Sequence, residues 1–192
     1  PFCDNAFIKK VEEQIIIPTI EGLKKENISY SGFIFIGLMN DNGNPNVVEY
    51  NVRMGDPETE VVLPRIKSDL LELFIAVGQK KLSSLQLEID ERTAVTVMLV
   101  SGGYPGDYKK GKKISGLEKV KDSIAFHAGT AANDSQSPIL TNGGRIISVT
   151  SFGNSIKEAC NKSYASITQI NFEGMYFRKD IGLDLIEYTI PA

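Results

Sequence analysis

The stretch Val47-Val48-Glu49-Tyr50-Asn51-Val52-Arg53-Met54-Gly55-Asp56-Pro57-Glu58 decides how this chain is read. Side chains on a strand switch faces at every residue. Val48, Tyr50 and Val52 therefore share one face, and Glu49, Asn51 and Arg53 share the other. Alternate strand residues stand roughly 6.6 Å apart at the backbone. The longer Glu49 side chain can lean toward Asn51, which brings two hard oxygens within reach of one cation. Magnesium takes such ligands, one or two from protein and the rest from water and phosphate. Arg53 is placed to hold a carboxylate or phosphate bidentately. A solvated face on an edge strand would explain the same residues without any function.

The residues after the strand add weight to the functional reading. Gly55 permits a sharp turn. Asp56 is a helix-capping residue and Pro57 suits a first helical turn. The sequence thus predicts a helix directly after the turn, with its N-terminus available to an anion. Glu58 and Glu60 would lie in that first turn and repel a phosphate, and helix-dipole stabilisation alone accounts for them.

These residues carry a resemblance. Arg53-Met54-Gly55-Asp56-Pro57-Glu58-Thr59-Glu60 resembles the signature of the phosphoribosylamine–glycine ligase family, also called glycinamide ribonucleotide synthetases. That signature reads Arg, then Phe or Leu, then Gly-Asp-Pro-Glu; Met54 departs from it in a hydrophobic position. Further matches include Tyr30-Ser31-Gly32, Gly103-Tyr104-Pro105-Gly106, Phe126-His127-Ala128-Gly129-Thr130, Thr141-Asn142-Gly143-Gly144-Arg145 and Arg178-Lys179-Asp180-Ile181-Gly182. The family belongs to the ATP-grasp ligases.

The resemblance implies a reaction. ATP phosphorylates the glycine carboxylate, and the amine of 5-phosphoribosylamine attacks the acyl phosphate to give glycinamide ribonucleotide in purine synthesis. It implies ATP and magnesium (or manganese) as cofactors, with Glu49 and Asn51 as metal ligands between the ATP phosphates. Arg53 is the expected catalytic residue, holding the acyl phosphate or a substrate anion. Gly55, Asp56, Pro57 and Glu58 are expected to complete the substrate and phosphate site. Phosphoryl transfer suits such a set, because it needs positioning and charge neutralisation more than a protein nucleophile. In many ATP-grasp proteins the preceding strand supplies another carboxylate. Gly37 lies about there, so that ligand is absent or comes from outside this chain. Another ATP-grasp carboxylate–amine ligase would share the metal strand, and a non-catalytic domain would keep only the fold. The Gly-Asp-Pro-Glu turn favours glycine ligation, and the presence of Glu49, Asn51 and Arg53 favours an enzyme.

The 192 residues, 42% hydrophobic and 23% charged with net charge −3, suit a soluble globular protein of one large or two small domains. The acidic balance argues against a nucleic-acid partner. No apolar run reaches membrane-spanning length. Cys3 and Cys160 are far apart and read as reduced thiols, as in a cytoplasmic protein. A monomer is expected. The chain starts at Pro1, and the resemblance begins late in the family's length. The family's N-terminal domain and earlier ATP-binding part would precede Pro1, so the chain reads as a C-terminal portion, inactive alone.

The fold expected is α+β. Residues 1–88 complete an ATP-grasp domain, and residues 89–192 form a smaller α+β domain with a mainly antiparallel sheet. Asp4 or Asn5 caps a first helix that Pro18 interrupts. Phe33–Met39 reads as a buried strand, joined through Asn40-Asp41-Asn42-Gly43 to Val47–Arg53 as a hairpin. Leu70, Leu71, Phe74, Ile75 and Val77 read as the core stripe of a helix. Ala94–Val100 and Ile124–Ala128 are strands, and Gly102–Gly106 is a tight turn. The run Lys109, Lys110, Lys112 and Lys113 reads as a solvated loop. Ile139–Thr141 and Arg145–Thr150 flank Asn142-Gly143-Gly144 as a second hairpin. Ser155 caps a last helix, and Met175–Arg178 returns as a strand.

Overall fold

A computed structural model describes residues 3–186. They fall into two compact units. One holds residues 3–56 together with Ser68–Glu88; the other holds Pro57–Lys67 with residues 89–186.

In the first unit Asp4 caps α1 (Asn5–Val11), its carboxylate accepting the Phe7 amide at 2.7 Å. Pro18 has no N–H to donate, and its ring would collide with the carbonyl four residues back. The helix meets this by widening. Glu12–Ile16 is a π-helical segment, and α2 (Ile17–Lys25) resumes with Pro18 in its first turn. The expected interruption takes this form. β1 (Phe35–Asp41) and β2 (Asn44–Asn51) form an antiparallel hairpin. Asn42 and Gly43 in its loop have φ of 50° and 82°, the two left-handed positions of a type I′ turn.

Two expectations fail here. Phe33–Met39 is not a buried strand: β1 begins at Phe35, and Met39 is 60% exposed. An apolar run on both faces needs a layer on each side, and the residues of this unit do not supply both. On α4 (Leu70–Gly78), capped by Asp69, the buried side chains are Leu73 and Ala76, while Leu71, Phe74 and Ile75 are exposed. Glu72 is the only charged residue of α4. With apolar groups nearly all round, periodicity selects no face.

The second unit is built on β3 (Thr93–Val100), β4 (Ile124–His127) and β7 (Arg145–Gly153), antiparallel in the order β3–β7–β4. Ile146, Ile147 and Val149 on the central strand pack with Val97, Leu99, Ile167, Ile170 and Phe172. Ser155 caps α5 (Ile156–Ile167) by accepting the Glu158 amide at 3.2 Å, and the Glu158 carboxylate accepts the Asn154 N–H at 2.8 Å. This is a capping box displaced by one residue. The helix also meets the sheet through hydroxyls. Ser163 Oγ donates to the Val95 carbonyl and lies 2.9 Å from Ser151 Oγ, and Ser123 lies 2.7 Å from both Ser151 and Ser166. Buried polar groups so paired cost little.

The second hairpin turns elsewhere than expected. β6 (Leu140–Thr141) pairs with β5 (Thr130–Ala131), while β7 pairs with β4. Residues 124–131 and 140–150 are thus two arms of one hairpin, closed by the loop containing Asn133–Pro138. Asn142-Gly143-Gly144 is an irregular joint in the returning arm, not a turn. There the arms touch backbone to backbone: a Cβ on Gly129 would stand 2.5 Å from the Arg145 carbonyl oxygen and 2.8 Å from Gly143 Cα. Glycine marks a close approach at this point. Met175–Arg178 is not a strand either. It is reduced to one bridge, in which Tyr176 and Val100 exchange hydrogen bonds of 2.8 and 3.0 Å.

Candidate active site

Three contacts fix β2 and the residues that flank it against the rest of the unit. Lys10 Nζ donates to the Gly43 carbonyl at 2.6 Å, Thr19 Oγ1 and Tyr50 Oη lie 2.9 Å apart, and Tyr30 Oη donates to the Val52 carbonyl at 3.0 Å. Tyr50 thus faces α2, as the alternation requires. Glu49 and Asn51 share the opposite face: the Asn51 amide donates to Glu49 Oε1 at 3.0 Å. The Asn51 carbonyl oxygen and Glu49 Oε2 take no hydrogen bond among the described residues. Just before Glu49 the register slips, Gly37 pairing with Glu49 and Leu38 with Val47, so Val48 is bulged out. Bulges recur beside functional sites because they re-aim the strand. Opposite Glu49, a Cβ on Gly37 would lie 3.0 Å from Glu49 Cγ. Glycine there makes room for the carboxylate.

The segment after β2 differs in detail from the sequence reading. Arg53 is exposed, and its Nη1 donates to the Met54 carbonyl at 3.0 Å. Gly55 is buried, but among the described residues the glycines with positive φ are Gly32, Gly43, Gly103, Gly111, Gly116, Gly174 and Gly182. The turn therefore does not use a left-handed glycine at position 55. Asp56 does not cap the helix. α3 (Thr59–Val62) starts three residues later with Glu58 at the N-cap position, and Asp56, Pro57 and Glu58 form a turn ahead of it. Its single-turn length gives no long helix N-terminus for an anion. Among the described residues no three His, Cys, Asp or Glu side chains gather as a metal cluster. Glu49 and Asn51 are thus a two-oxygen donor set.

Other sequence candidates resolve into ordinary contacts. Exposed His127 lies with Nδ1 3.0 Å from Thr130 Oγ1, in a hydrogen-bonding role. Lys112 of the basic run pairs with Glu173 at 2.6 Å. Arg178 and Asp180 form a bidentate ion pair at 3.0 and 2.9 Å. No single stretch of sequence announces one feature: a cavity of about 280 Å³ within the second unit, lined in part by Tyr104, Arg145, Tyr176 and Arg178.

Residues 1–59 match the model of the phosphoribosylglycinamide synthetase ATP-grasp (A) domain, and residues 94–184 match that of the C domain of the same enzyme. The chain belongs to the phosphoribosylglycinamide synthetase family. It is 45% identical to the phosphoribosylamine–glycine ligase of Caldanaerobacter subterraneus over 94% of its own length and 43% of that protein. The crystal structure of phosphoribosylamine–glycine ligase from Thermotoga maritima superposes with a TM-score of 0.75 at 35% identity, covering 92% of this chain and 43% of that one. The N5-carboxyaminoimidazole ribonucleotide synthetase of the same organism shares the fold, with a TM-score of 0.56 at 15% identity over 88% of this chain and 43% of that one. The chain spans less than half the length of these relatives. The mixed α and β fold with antiparallel sheets is that of the synthetase family. No helix among the described residues is long and apolar enough to cross a membrane.

Proposed function

We propose that this chain is the C-terminal part of a ligase that uses ATP to join glycine to 5-phosphoribosylamine, forming glycinamide ribonucleotide. The observation that carries the reading is the Glu49–Asn51 pair on one face of β2, two residues ahead of Arg53, in a chain of the synthetase family. A carboxylate and an amide carbonyl are hard oxygens, and they fit magnesium (or manganese) bound together with ATP phosphates and water. When bound, the metal supplies charge neutralisation for phosphoryl transfer. Arg53 holds the acyl phosphate or a substrate carboxylate, and the turn Gly55–Glu58 shapes the substrate side of the site. Residues 1–88 belong to the ATP-grasp part and residues 89–192 to the C-terminal domain. Exposed Leu71, Phe74 and Ile75 on α4 support a fold that the remaining length of the enzyme covers. The enzyme works as a cytoplasmic monomer, and this chain alone does not turn over.

The test is Glu49→Gln in the full-length enzyme. It removes the one charged group of the pair, and turnover should fall roughly a hundredfold or more. The denaturation midpoint should stay close to the parent's, since the carboxylate is exposed. Full magnesium-dependent turnover in the variant would refute the assignment.

A further inference from the structure

A cavity of about 280 Å³ in the second unit brings together side chains from four separate stretches. Pro57 comes from the turn before α3, Tyr104 from the loop after β3, Arg145 from the start of β7, and Tyr176, Arg178 and Ile181 from the last described segment. Two guanidinium groups and two phenols thus meet in a space whose β3 wall is apolar. Guanidinium is the side chain best matched to phosphate oxygens, through planar pairs of donors. Phenolic hydroxyls donate to and accept from sugar hydroxyls. Drug-sized ligands occupy cavities of roughly 300–1,000 Å³, so this one suits a single pentose phosphate and is too small for a nucleoside triphosphate.

The guanidinium of Arg178 is held in place before any ligand arrives. Asp180 takes its Nε and Nη2 protons at 3.0 and 2.9 Å, and Nη1 makes no hydrogen bond among the described residues. The loop that carries it is pinned by one hydroxyl of α5. Tyr164 Oη donates to the Arg178 carbonyl at 3.0 Å and accepts the Ile181 N–H at 3.1 Å. Tyr104 is set against Gly144, where a Cβ would stand 2.6 Å from the Tyr104 ring atom Cε2. Side chains fixed in this way lose little freedom on binding.

We infer that this cavity receives the phosphorylated sugar of the amine substrate, with Arg178 and Arg145 on the phosphate and Tyr104 and Tyr176 on the ring. It deepens the ligase reading above and rests on it. The probe is ribose 5-phosphate, titrated into the 192-residue chain and followed by amide chemical shifts, with ribose and inorganic phosphate as separate arms. Ribose 5-phosphate should saturate, inorganic phosphate should compete with it, and ribose should not bind. Arg178→Gln should weaken binding roughly tenfold or more, the loss of a charge-assisted hydrogen bond, and Arg178→Lys should fall between. In the full-length enzyme Arg178→Gln should raise KM for 5-phosphoribosylamine and leave KM for glycine near its parent value. No saturable binding to the folded chain overturns the site, as does equal affinity in the Gln variant. If glycine-dependent turnover survives Arg178→Gln with an unchanged KM for the amine, this cavity fails while the ligase reading stands. If the unmodified full-length enzyme does not ligate glycine, the ligase reading fails, whatever the chain binds.

Discussion

Replacing Gly129 by alanine probes the joint where the two arms of the 124–150 hairpin touch. The φ of Gly129 is not among the positive ones, so left-handed strain plays no part. The added methyl meets only backbone: Arg145 O at 2.5 Å, Gly143 Cα at 2.8 Å and Gly143 N at 3.0 Å. Ordinary contact begins at 3.4 Å, so the nearest atom must move by 3.4 − 2.5 = 0.9 Å. Two hydrogen bonds cross this joint, Gly129 N–H to Arg145 O at 2.8 Å and Asn142 N–H to Gly129 O at 2.6 Å. A movement of that size takes the first beyond bonding distance. Overpacking costs about 1–3 kcal/mol and a lost hydrogen bond about 1 kcal/mol. The stiffer unfolded chain returns about 0.4–1 kcal/mol. Gly129→Ala should therefore lose roughly 1–3.6 kcal/mol, with a middle value of about 2.3. The assay is urea unfolding by far-UV circular dichroism, since the chain has no tryptophan. Gly22→Ala is the control of opposite sign. Nothing lies within 4 Å of its Cβ in α2, so it should gain about 0.5–1 kcal/mol from helix propensity. At Gly144 the opposing group is the Tyr104 ring, and alanine there should displace the ring and weaken ribose 5-phosphate binding. A Gly129→Ala protein as stable as its parent would show that the arms do not approach as closely as described.

Two other outcomes rest on single contacts. Asp90 has its pKa lowered from 3.8 to about 2, first by the hydrogen bond from the Arg92 side chain and then by that from the Arg92 backbone. The unfolded chain therefore binds a proton at higher pH than the folded one. The contribution is fully present above about pH 4 and lost as pH falls through about 2, and Asp90→Asn should flatten the melting temperature against pH across that interval. Ser155→Ala removes the side-chain cap of α5 and should cost about 1 kcal/mol; hydrogen exchange of the Glu158 amide, measured beside an amide in mid-helix, should rise first, and an unchanged rate would mean that the cap contributes nothing.

Some elements were legible because a local rule decides them. Asn42-Gly43 fixes a type I′ turn, and Ser155 with Glu158 starts α5. The alternation along β2 puts Glu49 and Asn51 on one face and Tyr50 on the other. The errors share a cause, since each needed a partner that short-range pattern cannot show. Glycines at 143 and 144 look like a turn, but they are small because Gly129 and Tyr104 lie against them. The faces of α4 are indistinguishable in an apolar sequence, so which one is buried depends on what packs there. Asp56 and Pro57 have the chemistry of a helix start, yet α3 begins beyond them, at Thr59. The cavity of Tyr104, Arg145 and Arg178 draws on residues up to 74 positions apart (178 − 104). No spacing rule reaches that far.

The π-helical segment at Glu12–Ile16 acts as a phase shift in a rod that touches the hairpin twice, through Lys10 at the Gly43 carbonyl and through Thr19 at Tyr50. Each residue of an α-helix advances the azimuth by about 100°. The wide turn absorbs one residue of surplus length, so both teeth of the rod engage the same partner. Wound as a plain α-helix with every residue kept, the same rod would carry Thr19 about 100° away from Tyr50. One end of the rod would stay meshed and the other would idle. The strand carrying Glu49 and Asn51 would then be held at its turn and loose at its middle. The timing of that strand is set more than thirty residues upstream, by a helix that is one residue out of step.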